Sequence, residues 1–314
     1  MKHCIFLFFL LLSGILSAAN LMDFVPRRAS QIIRIDVQAV SAWKIFQDDL
    51  SSVVSRQTKI DGLKDNPFTM KELIDEIIIV TPVLTEEETF VFVKTRVPEK
   101  MFCQKLEELF GVRHISVEVM NRTEKRISLP AMRFSFGPKS GKRTLAFAFL
   151  AENMVVFAEN SLEKYWNCKI YGLPKQIRQS FWVPNFLAVG RLEMEPRFLQ
   201  EHPFLPPFQR LVYSFARGPA ESLQVKAMIG CGSEEAANRV QMQVQQYVMM
   251  GGIILNQVSP ELMQEWINLI KISRKNKEIF VQGDFPRSFL NAMMNASGQL
   301  TENTVQSGKD GNKR

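Results

Sequence analysis

The chain opens on an alternating pattern of apolar and polar residues that passes into a helical pattern. In "IIRIDV" (32–37), apolar side chains alternate with Arg34 and Asp36, which predicts a half-buried β-strand. Apolar residues then recur at helical spacing over 43–53, and Ser41 is the predicted N-cap of this helix. The first predicted unit is therefore a strand followed by a helix.

Two strands, a helix and a further strand follow in the first half of the chain. "IDEIIIVTPV" (74–83) and "TFVFVKTRV" (89–97) predict a pair of strands separated by an acidic turn. Pro98 suits the first turn of a helix that Gly111 ends, and "HISVEV" (114–119) alternates again. The order strand, helix, strand, strand, helix, strand is that of a ferredoxin-like βαββαβ unit.

The same element order recurs in the second half. "NFLAVGRLEMEP" (185–196) predicts its first strand, and prolines at 203, 206 and 207 prevent a regular helix throughout the next segment. Two strands follow, joined through Gly218-Pro219, and Ser233 caps a helix that is predicted to end or bend at Gly251-Gly252. A helix from Pro260 and the strand "LIKIS" (269–273) complete the unit.

The predicted fold is α+β, with two tandem ferredoxin-like (βαββαβ) repeats that carry added C-terminal hairpin strands and helices. A single large α+β sheet is the alternative. The two repeats either join their sheets edge to edge or sit apart on a linker. The predicted organisation is a signal peptide over 1–19, a first repeat over 20–172, a linker over 173–184, a second repeat over 185–296 and a disordered polar tail over 297–314.

Three stretches carry a resemblance to a known group of proteins. They are the strand that opens each repeat, the hairpin and helix of 146–166, and the late stretch 259–294. In these stretches the chain resembles uncharacterised exported bacterial proteins built from two α+β repeats. The prolines at 203–207 depart from the helix that such proteins show at that place, and the resemblance implies no catalytic residues.

The N-terminus has the pattern of a secretory signal. Lys2 precedes an apolar run over 5–12, and Ser17-Ala18-Ala19 supplies the small residues of a cleavage site. We expect cleavage after Ala19 and a periplasmic or secreted protein; an uncleaved anchor is the alternative. Apart from this run, the sequence has no apolar stretch long enough to span a bilayer.

Composition, net charge and cysteine content exclude few classes of protein function. The 46% hydrophobic content and 24 phenylalanines are enough to fill substantial cores. A net charge of +7 over 314 residues is mild and does not indicate nucleic acid as a partner. Beyond the signal, Cys103, Cys168 and Cys231 form no CxxC pair, allow at most one disulfide, and fit best as small apolar side chains.

No motif in the sequence indicates catalysis, a cofactor or a metal. His114 and His202 have no ligand at metal-binding spacing, and the acidic turn at 86–88 lacks the spacing of a calcium loop. The chain contains no G-x-S-x-G motif. The turn 137–143 departs from a phosphate loop in its glycine spacing and in the Arg143 that follows its lysine. We therefore predict no catalytic, cofactor-binding or metal-binding residue.

Two basic runs occupy equivalent places in the two repeats. "NRTEKR" (121–126) and "SRKNKE" (273–278) each follow the last strand of a repeat and precede an added strand, so both are predicted to be exposed hairpin tips. If both tips lie on one face, they form a weak binding surface for an anionic partner. The candidate residues are Arg122, Lys125, Arg126, Arg274, Lys275 and Lys277.

The expected function is that of an exported, non-catalytic binding or structural module of the cell envelope or extracellular space. Its candidate partners are another envelope protein or an anionic surface, and no nucleic acid. A carrier of a hydrophobic ligand is one alternative, because Met-rich stretches at 242–250 and 293–294 suit an adaptable pocket. A hydrolase whose polar groups converge only in space is the other.

Overall fold

The computed structural model describes residues 20–43, 70–84, 88–110, 116–119, 130–136, 143–159, 161–168, 170–202, 205, 207–257 and 259–294. Twelve β-strands lie within these ranges. They are β1 (Gln31–Asp36), β2 (Ile74–Thr81), β3 (Phe90–Thr95), β4 (Ser116–Val119), β5 (Pro130–Phe136), β6 (Arg143–Ala151), β7 (Met154–Glu159), β8 (Phe186–Glu193), β9 (Phe208–Arg217), β10 (Leu223–Cys231), β11 (Ile270–Lys275) and β12 (Glu278–Phe285).

The α-helices of the described ranges lie between these strands and after the last of them. They are α1 (Val37–Ala42), α2 (Met70–Leu73), α3 (Glu99–Phe110), α4 (Glu163–Trp166), α5 (Lys175–Ser180), α6 (Pro196–Glu201), α7 (Glu234–Asn256), α8 (Pro260–Leu269) and α9 (287–294). Single 3-10 turns cover Leu21–Asp23 and Pro219–Glu221. Among the described helices, none combines the length and the apolar character needed to cross a membrane.

The strands form one sheet in the order β11-β12-β10-β9-β8-β1-β2-β3-β7-β6-β5-β4. Every described strand pair in it is antiparallel. The chain is thus a mixed α/β protein built on an antiparallel sheet. The tandem ferredoxin-like arrangement is not confirmed, because that plan places the third strand beside the first, whereas here β2 lies between β1 and β3. Apolar periodicity predicts that a strand exists, but it does not specify the strand's partner or direction.

The two halves of the chain build their parts of the sheet in the same way. In the first half β1, β2 and β3 pair in chain order, and β7, the last strand, pairs with β3. In the second half β8, β9 and β10 pair in chain order, and β12, again the last strand, pairs with β10. The halves meet through β1 and β8, so their sheets are joined edge to edge.

The first half of the sheet is covered on both faces. On the face that we call face A, the N-terminal segment and the segment 161–181 bury a cluster that includes Leu21, Ile78, Phe92 and Tyr165. On the other face, face B, α3 packs against β3, β6 and β7 through Phe102. The segment 173–184, which the sequence predicts as a linker, buries Leu173 and Phe181 in the cluster of face A.

The second half of the sheet differs, because its helices pack on face B. Ala237 and Val240 of α7 are buried against Ile229 and Ile279, and α8 and α9 complete this layer. On face A, by contrast, β10, β12 and β11 expose Lys226, Gln282 and Lys271, which lie side by side in the register. Face A therefore changes from a covered surface to a polar, exposed one where the first half meets the second.

The long helix α7 begins as predicted but ends later than predicted. The Ser233 hydroxyl accepts a hydrogen bond from the Ala236 amide at 3.1 Å, as an N-cap does. The helix continues through Gly251-Gly252 to Asn256, so the predicted end or bend at the glycines is wrong. The physical reason is packing: an added Cβ at Gly251 would lie 3.2 Å from the Trp266 ring of α8. Because glycine has no side chain, α8 packs closely against α7 at Gly251 and Gly252.

Candidate functional site

A half-open pocket of about 600 Å³ lies on face A where the covered surface ends. Its floor comes from β9 and β10, one wall from residues 183–185, and one end from the β9–β10 turn. Ala39 of α1 completes the lining. The pocket exists because the segment that covers the first half stops at β8 and leaves the next two strands open.

Four side chains of two adjacent strands form the floor. Lys226 lies directly opposite Ser214, and Gln224 lies directly opposite Ala216. Directly opposed residues of an antiparallel pair point to the same side, with Cβ atoms about 5 Å apart. Strand alternation therefore places an ammonium, an amide and a hydroxyl together on face A, where Lys226 is exposed, Gln224 is half-buried and Ser214 is buried.

The end wall is the turn that joins β9 to β10. The Arg217 amide donates a hydrogen bond of 2.9 Å to the Asn185 carbonyl, which ties the turn to the side wall. The Arg217 guanidinium pairs with the Glu221 carboxylate across the turn. The Gly218 amide donates to the Ser222 carbonyl at 2.8 Å. These bonds hold Arg217 at the edge of the pocket.

Three residues in these walls have left-handed backbone conformations. Asn185 has φ 53°, Ala220 has φ 51° and Glu221 has φ 63°. Asparagine tolerates this region, whereas a residue with an ordinary Cβ loses roughly 1–2 kcal/mol there. Backbone strain of this kind concentrates at binding and active sites, where the surrounding contacts hold it in place.

Two polar atoms behind the turn are buried and have no hydrogen-bond partner. They are Oε2 of Glu221 and Oγ of Ser222. Gly218 lies very close to Ser222 Oγ, because a Cβ added at Gly218 would be only 2.3 Å from that atom. Buried polar groups without partners are uncommon in folded proteins, and each is destabilising unless something else satisfies it. They mark this turn as unusual beside an ordinary hairpin.

The positive charge of the pocket comes from Lys226, because the other lining cation, Arg217, is already paired with Glu221. The described lining residues include no carboxylate, histidine or thiol. Lys226 is exposed and makes no ion pair with any residue that the structure describes. An unpaired ammonium beside an amide and a hydroxyl suits the binding of an anionic group. The same set lacks the paired titratable groups that general acid–base chemistry needs.

A second cation lies on the same face beside the pocket. Arg34 of β1 lies two strands from Ser214, with Val189 of β8 between them in the register. Its guanidinium contacts both carboxylate oxygens of Glu76, at 2.9 and 3.0 Å. It also lies 4.5 Å from the centre of the Phe186 ring. These contacts hold the Arg34 side chain in place, and Arg34 stabilises the part of the sheet beside the pocket.

The basic residues predicted from the second run lie at the β11–β12 turn. Arg274, Lys275 and Lys277 are all exposed, and Arg274 donates to the side chain of Asn238. Asn276 occupies the left-handed position of this turn, with φ 54°. The turn is the exposed hairpin tip that the sequence predicts.

The basic residues of the first run, Arg122, Lys125 and Arg126, lie outside the described residues, as does the predicted cleavage site at Ala19. The strands on either side of that run, β4 and β5, form one edge of the sheet, whereas β11 and β12 form the opposite edge. Ten strand spacings separate these two edges of the sheet, or roughly 50 Å along it.

None of the three cysteines in the described part of the chain forms a disulfide with another described residue. Burial, with a smaller contribution from the carboxylates of Glu99 and Glu107, raises the pKa of Cys103 from 9.0 to about 11. Burial also raises the pKa of Cys231. A thiol with a raised pKa is a weak nucleophile near neutral pH. Among the described residues, no group of three or more His, Cys, Asp or Glu side chains could hold a metal ion.

Lys226 and Arg217 were not among the residues that the sequence singles out. The alternation of Gln224 and Lys226 in "LQVKAMIG" indicates a polar strand face, which is common in antiparallel sheets. What makes this face a pocket is the segment 183–185 from another part of the chain. No family model, no curated protein and no solved structure matches this chain.

Proposed function

We propose that the protein is an exported, non-catalytic binding module, and that the pocket on face A binds a small ligand through an anionic group. One observation carries this proposal: Lys226, a cation that pairs with no carboxylate among the described residues, lies in a pocket of about 600 Å³ beside the polar side chains of Ser214 and Gln224. A volume of this size suits a small molecule. Export rests on the signal pattern that precedes Asn20.

The character of the pocket favours this function over the two alternatives. Val183, Pro184 and Pro219 give the pocket apolar walls, as a carrier requires, but the Lys226 ammonium on its floor favours a ligand that also carries an anionic group over a purely apolar one. A hydrolase needs a nucleophile that a base can deprotonate. Ser214 lies opposite Lys226, but the structure shows no hydrogen bond between its hydroxyl and any described residue. Binding without chemistry is the simplest use of these groups.

The proposal also includes an internal repeat of the chain. We interpret the two halves as repeats of one unit, because each pairs its first three strands in chain order and then pairs its last strand with the third. Only the second repeat leaves face A open. Duplication would thus supply one covered half for stability and one open half for binding.

Calorimetric titration of the purified protein tests the proposed function. The probes are succinate and inorganic phosphate, which separate a carboxylate source from a phosphate source. We expect at least one probe to bind the wild-type protein and Lys226→Ala to weaken that binding about tenfold, as the loss of a charge-assisted contact predicts. Absence of binding by both probes would refute the anion site.

Lys271→Ala is the matched control. Lys271 lies on the same face, in register with Gln282 and Lys226, but outside the pocket. Its loss removes the same charge from the same surface and should leave the affinity unchanged. Equal weakening by both substitutions would mean that the probes sense only the general charge of the face.

A further inference from the structure

The outer side of α7 carries the largest group of exposed apolar side chains on any one helix that the structure describes. Six residues expose between 46% and 57% of their surface to solvent. We call this group the methionine face, and it consists of Met242, Tyr247, Met249, Met250, Ile253 and Ile254.

Packing on the opposite side of α7 fixes the methionine face outward. Gly251 and Gly252 lie against Trp266, Met263 and Ile267 of α8. The Trp266 indole donates a hydrogen bond of 2.8 Å to the Val248 carbonyl. If α7 rotated to bury these apolar residues, its contact with α8 would break. The apolar residues therefore lie on the side of α7 that faces away from α8.

The composition of this part of α7 is that of a protein interface. From Val240 to Asn256 the helix has no charged residue. The central parts of protein interfaces are depleted of charge and enriched in Met and Tyr. Six half-exposed side chains amount to several hundred Å², on the order of the largest apolar patch of a typical monomer.

We propose that the methionine face is the interface of a homodimer, in which the α7 helices of two copies pack antiparallel about a twofold axis. The proposal is independent of the anion site. With the axis near Val248, Met242 of each copy lies against Ile254 of the other, and Met249 lies against Tyr247. The uncharged face is complementary to itself, as an isologous interface requires.

The charges of α7 also fit this arrangement. Glu234, Glu235 and Arg239 precede the methionine face and lie outside the contact stretch, so pairing buries no charge. Antiparallel helices also align their dipoles favourably. A helix that lies on a membrane carries Lys and Arg along its polar face, whereas Arg239 is the one basic residue of α7. A second copy therefore fits the face better than a lipid surface.

Sedimentation equilibrium of the purified protein tests the proposal. We expect the wild type to dimerise at micromolar concentration, and Met250→Glu to weaken dimerisation at least a hundredfold because the twofold axis places the new charge in the interface twice. Met101→Glu is the control, since Met101 is 48% exposed on α3, away from the face. It should leave the dimer intact.

Methyl NMR of methionine-labelled wild-type protein gives a readout that does not depend on any variant folding. On dilution, the signals of Met242, Met249 and Met250 should shift together while that of Met101 stays in place. A wild-type protein that is monomeric throughout, or a dimer that Met250→Glu leaves intact, overturns the proposal. A monomer that instead binds phosphatidylcholine vesicles through these methionines overturns it in favour of a lipid surface.

Discussion

Ile33 of β1 lies directly opposite Gly190 of β8, at the seam where the two halves of the sheet meet. Each of these residues immediately precedes an arginine, Arg34 or Arg191, so they hold equivalent places in the two halves. If the two halves are repeats, as we propose, a local twofold axis through this seam relates them.

Gly190 at this seam has no room for a side chain, which leads to the first prediction. An added Cβ at Gly190 would lie 2.1 Å from the ring of Tyr213, its neighbour on β9. We expect Gly190→Ala to lower the free energy of unfolding by about 1–3 kcal/mol, because the ring must move in a packed layer. Urea unfolding measures this.

Gly230→Ala is the matched control for the seam. Gly230 lies in β10, and the nearest atoms to an added Cβ, those of Arg210, are 3.7 Å away. This substitution should be neutral or mildly stabilising. If Gly190→Ala is equally harmless, the Tyr213 ring does not pack closely against Gly190.

The ion pair of Arg34 and Glu76 provides the second prediction. Both side chains are largely buried, and Arg34 also donates to the Phe181 carbonyl at 3.2 Å. Arg34→Ala leaves the Glu76 carboxylate buried and unpaired, so we expect a loss of about 3 kcal/mol. Urea unfolding gives the value.

Arg197→Ala is the comparison for the ion pair. Arg197 pairs with Glu201 one helical turn away, and both side chains are well exposed. Exposed pairs of this kind contribute about 0.5 kcal/mol or less. Similar losses in Arg34→Ala and Arg197→Ala would contradict a structural role for the buried pair.

The strained turn beside the pocket provides the third prediction. Ala220 has φ 51° and ψ 34°. Glycine adopts this conformation without strain, so Ala220→Gly should stabilise the protein by about 0.5–1 kcal/mol despite the greater freedom of glycine when unfolded. Ala227→Gly, in the extended strand β10, should be destabilising by about the same amount. If both changes are destabilising in urea unfolding, the turn is not strained.

The Cys103 thiol provides the fourth prediction. Its pKa of about 11 exceeds its ordinary value of 9.0, so between these values the unfolded chain loses a proton that the folded chain retains. The unfolded state then binds fewer protons, and the free energy of unfolding falls as pH rises through this window. Cys103→Ala should reduce the loss between pH 8 and pH 10.5. Identical pH slopes for wild type and variant would contradict the raised pKa.

The sequence predicts much of the local structure of this chain. Alternation identifies β2, β3, β9 and β10, and Ser233 identifies the start of α7, because these signals depend on neighbours in the chain. The first helix shows the limit of such signals. Ser41 lies inside α1 (Val37–Ala42), whose N-cap is Asp36, so it is not the N-cap that the sequence predicts. The helix predicted over 43–53 lies, from residue 44 onward, outside the described residues.

Strand pairing and the pocket could not be predicted in the same way. The antiparallel contact of β1 with β8 joins residues about 150 positions apart, and nothing in either strand specifies the other. Lys226 is an ordinary polar residue of a strand until residues 183–185 form a wall beside it. Sites of this kind depend on where the covering segments end, which single-sequence patterns do not show.

The measurement that tests the anion-binding pocket most directly is an amide NMR titration of the wild-type protein with succinate and with inorganic phosphate. We predict saturable shifts of the side-chain amides of Asn185 and Gln224 and of the backbone amides at Arg217 and Lys226, with the Lys271 amide unmoved. No shift at the pocket, or shifts confined to the basic β11–β12 turn at Arg274–Lys277, would contradict the proposal.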